Sequence, residues 1–134
     1  MLSTADSSQQ PTEDQSFTIL LAHGSSNQDW CTTFEKMTAP ACTSHRDVSV
    51  AYMELSTPSM EEIIRKAVVT GFKNITIVPL FLAAGKHLKL DIPQKLDKLK
   101  DELNFNYKLL PAIGEHPMMS FAIKEIVSEI ITET

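Results

Sequence analysis

Arginine is almost absent from this chain: two residues among 134, beside ten lysines and seventeen acidic side chains, for a net charge of −5. Without an arginine-rich face to neutralise phosphates, nucleic acid is excluded as a partner. Cysteine is equally scarce. Cys31 and Cys42 are separated by ten residues, a spacing that fits no common zinc or redox pattern, so both read as reduced thiols of a cytoplasmic protein. No apolar run approaches the ~18 residues of a membrane helix, and no basic-then-apolar leader opens the chain. A soluble, unexported protein without membrane contact is expected. No internal repeat of solenoid period is present.

What is there suits one core. A chain of 134 residues with 43% hydrophobic content buries about two thirds of its unfolded surface as a single domain. Residues 1–16 are rich in Ser, Gln, Thr, Asp and Glu and cannot repay the entropy of ordering, so they are expected to form a disordered tail ahead of a domain spanning 17–134.

Within that domain, apolar runs alternate four times with amphipathic ones. Strands are predicted at Phe17 to Ala22, Val48 to Leu55, from Asn74, and at Tyr107 to Leu110. The first helix is capped by Asn27 or Asp29, carries Trp30, Phe34 and Met37, and should stop at Pro40, with a loop from Ala41 to Asp47. The second has Thr57 as its N-cap, Pro58 at its first position and Gly71 at its end, with Glu61–Arg65 and Glu62–Lys66 pairs outside. A third begins near Asp91. The last, opened by Pro117, is expected to turn Met119, Ala122, Ile123, Ile126, Val127 and Ile130 inward. Parallel strands joined by helical crossovers make a small three-layer, doubly wound α/β sheet of about four strands.

In such sheets ligands gather outside the carboxyl ends of the strands. His23 follows the first strand, Glu54 ends the second, His87 follows the third and His116 lies past the fourth. Two neutral imidazoles with a carboxylate nearby suit a borderline divalent ion such as Fe²⁺, Co²⁺, Ni²⁺ or Zn²⁺, and so few ligands leave coordination positions open for an ion that must be handed on. A histidine also exchanges a proton near neutral pH. Each residue has a plainer reading. His23 and His87 as loop histidines could be surface or capping groups, His45 sits in a polar loop, His116 could cap the helix at Pro117, Glu54 could reach solvent, and Ser25 and Ser26 could cap a turn. Lys95, Lys98 and Lys100 read as the solvated face of the third helix, whereas Lys86 and Lys89 flank His87 and could attract a carboxylate-rich substrate.

The ordered set His23-Gly24-Ser25 with Asp29-Trp30 and Phe34-Glu35, Tyr52-Met53-Glu54-Leu55 with Pro58-Ser59, Pro79-Leu80-Phe81-Leu82 with Gly85, His87 and Asp91-Ile92-Pro93, and Pro111 to Pro117 resembles the short, single-domain members of the sirohydrochlorin chelatase family. It covers nearly everything after residue 16. The resemblance implies a class II chelatase-like half domain that inserts Co²⁺ or Fe²⁺, in some relatives Ni²⁺, into sirohydrochlorin, a tetrapyrrole bearing many carboxylates, for cobalamin or sirohaem, without ATP and with no tightly bound cofactor. His23 and His87 would hold the metal or accept pyrrole protons, and Glu54 would assist as ligand or base. Ser25, Lys86, Lys89 and His116 would contact the substrate. Larger relatives carry two such halves around a cleft, so a chain with one half should pair as a homodimer. A non-catalytic metal or tetrapyrrole carrier would use the same histidines. An esterase-like hydrolase is disfavoured, since no Gly-x-Ser-x-Gly elbow is present.

Overall fold

The computed structural model describes residues 10–133, the side chain of His87 excepted. Strands β1 (Ser16–Ala22), β2 (Val48–Tyr52), β3 (Asn74–Pro79) and β4 (Asn106–Leu109) form one parallel sheet in the order β2-β1-β3-β4. Helices α1 (Gln28–Ser44), α2 (Met60–Thr70), α3 (Ile92–Leu103) and α4 (Pro117–Glu133) alternate with them. This is the α/β arrangement expected from the alternating pattern. Of the expected tail, residues 1–9 lie outside the described residues, and residues 10–15 turn into β1, where the Glu13 carbonyl accepts from Asn74 Nδ2 at 2.7 Å.

The strand period of two sorts the core. Ile19 and Leu21 of β1 and Ile75 and Ile77 of β3 pack with Ile64 of α2 and Leu96 of α3. Residues of the opposite parity, Ala22 and Tyr52, pack with Phe34 of α1. Each fully buried Ile or Leu contributes about 1.5–3 kcal/mol, so the two central strands anchor the fold.

Five local expectations are corrected. Helix α1 runs through Pro40 to Ser44 because its buried stripe, Cys31, Phe34 and Thr38, lies away from the proline, whose exposed face leaves the unpaired carbonyl to water. β2 ends at Tyr52, and 53–58 form a turn whose Pro58 carbonyl accepts from Tyr52 N at 2.9 Å. Thr57 and Pro58 therefore do not cap α2. Ser59 does, in a reciprocal capping box with Glu62, while Gly71 ends the helix at φ +118° as expected. Arg65 reaches across to α3 and pairs both guanidinium nitrogens with Glu102 at 2.6 and 3.0 Å, because a bidentate partner on the neighbouring helix outcompetes a one-turn neighbour. Glu102 is thereby held below the usual carboxylate range by that hydrogen bond first. Finally, α4 leaves the domain: Met119 and Ala122 are half-buried, but Ile123, Ile126, Val127 and Ile130 are all exposed. Its stripe has no surface within its own chain to cover.

Candidate functional site at the carboxyl edge

The chain leaves β1 toward β2 and leaves β3 toward β4, on the other side, so the order reverses between β1 and β3. A crevice opens at such a reversal, outside the carboxyl ends of the two strands. His23 stands there as the first residue past β1. Pairing carries on beyond the strand ends and fixes its backbone: Leu80 N donates to Leu21 O at 2.8 Å, Met53 N to Ala22 O at 2.9 Å, and Glu54 N to His23 O at 3.0 Å. The His23 ring lies on Phe81, from the segment after β3, with centroids 4.2 Å apart and planes 26° from parallel.

The turn behind His23 is braced from below. Gly24 sits at φ +100°, and a β-carbon there would run into the Glu54 carbonyl oxygen, so only glycine lets the two loops close. The Ser56 hydroxyl accepts from Ser25 N at 3.0 Å and donates to Ser25 O at 2.8 Å, with Cys31 Sγ 3.3 Å away. The Ser25 hydroxyl accepts from Asn27 N, and the Asn27 side chain caps α1 through Asp29 N and Trp30 N. Beneath them the Tyr52 hydroxyl meets Glu35 Oε2 at 3.2 Å. Burial, and then the Glu35 carboxylate, push that phenol up to about 12.

His23 and Glu54 line one cavity of about 300 Å³ together with Met53, Asp91, Ile92 and Lys95. Both predicted groups are exposed to it, an imidazole and a carboxylate able to donate to a borderline divalent ion or to accept protons. Asp91 and Lys95 were missed in sequence. Their four-residue spacing puts them on one face of the helix that follows the His87 loop, which was the available signal. Lys95 had instead been assigned to the solvated face.

The remaining predicted residues fall elsewhere on the edge. A wide turn of π-helix, His87–Asp91, leads into α3, so Asp91 continues a helical turn rather than serving as a side-chain cap. The His87 imidazole lies outside the described residues. Among the described residues no three His, Cys, Asp or Glu side chains are grouped to hold a metal. Lys86 is exposed, and Lys89 lines a neighbouring cavity of about 300 Å³ with Ala84, Pro93 and Glu115. Ser25 faces a polar cavity with Cys31, Glu35 and Tyr52. The His116 Nδ1 accepts from Met118 N at 3.1 Å, capping α4, and the residue lines an apolar trough rather than the His23 cavity.

A parallel four-stranded sheet with its acid, base and lysine groups at the strand-order reversal defines an α/β protein of the class II chelatase type. The CbiX family model matches residues 18–130, and this chain belongs to the CbiX family, whose members are metal chelatases, enzymes of the lyase class. It is 30% identical to the sirohydrochlorin cobaltochelatase of Sulfurisphaera tokodaii over 114 residues, 84% of this chain and 92% of the relative. The crystal structure of the CbiX protein from Marinobacter aquaeolei VT8 superposes with a TM-score of 0.85 at 41% identity, covering 90% of this chain and all of that one. The sirohydrochlorin chelatase SirB from Bacillus subtilis subspecies spizizenii, solved in complex with cobalt, shares the fold at TM-score 0.72 and 21% identity, over 87% of this chain and 51% of SirB.

Proposed function

We propose that this protein inserts Co²⁺ or Fe²⁺ into sirohydrochlorin without ATP, serving cobalamin or sirohaem formation. The carrying observation is the shared cavity of His23, Glu54 and Lys95 at the reversal between β1 and β3. Insertion exchanges one M²⁺ for the two pyrrole N–H protons, so the site must deliver a metal and remove two protons. His23 on its stacked seat, with His87 from the loop after β3, presents the ion through few ligands, which keeps positions free for the ring nitrogens. Glu54 takes a proton or completes the metal's donors. Lys95, with Lys86 and Lys89 nearby in sequence, receives the substrate's carboxylates by charge, which orients the macrocycle over the cavity. Ser25 and His116 extend the substrate contact along the same edge. Nickel is the further metal this donor set accepts, since affinity follows the Irving–Williams order. One chain supplies one half of a cleft, and a homodimer completes it.

The test is absorbance spectroscopy of purified protein with excess sirohydrochlorin and Co²⁺, and with Fe²⁺ under anaerobic conditions. Multiple turnovers above the protein-free rate are expected. A single equivalent bound, with metallation left at background, would replace the enzyme by a carrier.

A further inference from the structure

Helix α4 is apolar nearly all round and touches little of its own domain. Seven large hydrophobic side chains on it, from Met118 to Ile131, are 46–69% exposed. Soluble chains rarely leave such a surface bare. Beside its first turns lies a trough of about 680 Å³ at the carboxyl ends of β3 and β4, lined by Val78, Leu110, Pro111 and Ile113 on one side and by Met119 and Ala122 on the other. One chain thus carries both an apolar helix without a seat and an apolar seat without a helix.

We propose that α4 is an exchanged arm: in a two-fold dimer, Ile123, Ile126, Val127 and Ile130 of each subunit lie in the trough of the other. Three observations favour a second copy as the occupant. Helix and trough are self-complementary, so a two-fold axis satisfies both at once, whereas any other partner fills only one. The seven side chains offer roughly 700–800 Å² per subunit, the size of one side of a standard interface. And this chain spans about half the length of SirB, whose fold it shares, so two copies restore that length. The arm also ties pairing to the strand ends, because the trough wall Leu110 to Ile113 continues into the cavity that holds Lys89.

The inference takes up the pairing proposed above and names its surface, and sedimentation reads it apart from metallation. Equilibrium sedimentation of the full chain should give twice 14.9 kDa at about 10 μM, the micromolar range where such an interface holds. The variant Ile126→Glu with Ile130→Glu should sediment as the 14.9 kDa monomer with the wild-type far-ultraviolet circular dichroism. In a mixture of isotope-labelled and unlabelled wild-type chains, filtered nuclear Overhauser contacts should join Ile126 of one chain to Val78 or Ile113 of the other. A wild-type monomer overturns the proposal, as does a dimer whose mass the double change leaves intact. So do filtered spectra lacking those contacts, whether or not the variant folds.

Discussion

Two loops leave the same edge of the sheet, and they are built in opposite ways. The loop after β1 is closed down on its neighbours: Gly24 fits against the Glu54 carbonyl, Ser56 clamps Ser25 at both backbone groups, and Tyr52 with Glu35 fills the space beneath. The loop after β3 is tied at its start, where Gly114 N donates to Phe81 O at 3.1 Å, and then opens. Leu82 is 74% exposed, and nothing lies within 4 Å of a β-carbon placed on Gly85. One wall of the crevice is rigid and the other has room. That division suits a site that must hold an ion in place while a broad, flat macrocycle enters and leaves past the second wall.

The contrast can be broken most forcefully at Gly24. Gly24→Ala combines a forbidden β-carbon contact with an unfavourable positive φ, and a loss of about 3 kcal/mol in urea-unfolding stability is expected. A loss under about 1 kcal/mol would mean that the loop is not closed as described. Ser56→Ala removes both clamp bonds and leaves Ser25 N short of a partner, for about 1–2 kcal/mol by the same measurement.

Tyr52 sharpens the comparison through pH. Its folded value is raised above the unfolded ~10, so the folded chain keeps a proton that the unfolded chain releases. That contribution is fully present below pH ~10 and is lost as pH rises through about 12, so stability should fall across this window. Tyr52→Phe should flatten the decline, and an unchanged slope would remove Tyr52 as its source. The smallest effect is expected on the open side: Gly85→Ala should change stability by no more than about 0.5 kcal/mol, since its side chain meets only solvent.

Much of this edge was legible from residue order alone. Buried strand runs ending in His23 and leading toward His87 identify a carboxyl-edge site, and the alternation of elements brings His23 and Glu54 to one cavity. Lys95 and Asp91 were not legible, because the face they occupy depends on the phase set by the π-turn at His87–Asp91, which composition does not reveal. Arg65 showed the same limit: its one-turn neighbour Glu61 is visible in sequence, whereas Glu102 is adjacent only after folding. Helix α4 was misread for a different reason. Its stripe was correctly seen as needing cover, but periodicity says nothing about whether the cover belongs to the same chain.

The most direct test of metal insertion at this edge is the initial metallation rate of His23→Ala and His87→Ala against wild type, with sirohydrochlorin and Co²⁺ or Fe²⁺, each variant first checked by circular dichroism. Both should stay folded, since each histidine lies in a loop outside the core, and both should lose at least about 100-fold in rate. A folded variant that metallates as fast as wild type would contradict the assignment of these histidines and the mechanism built on them.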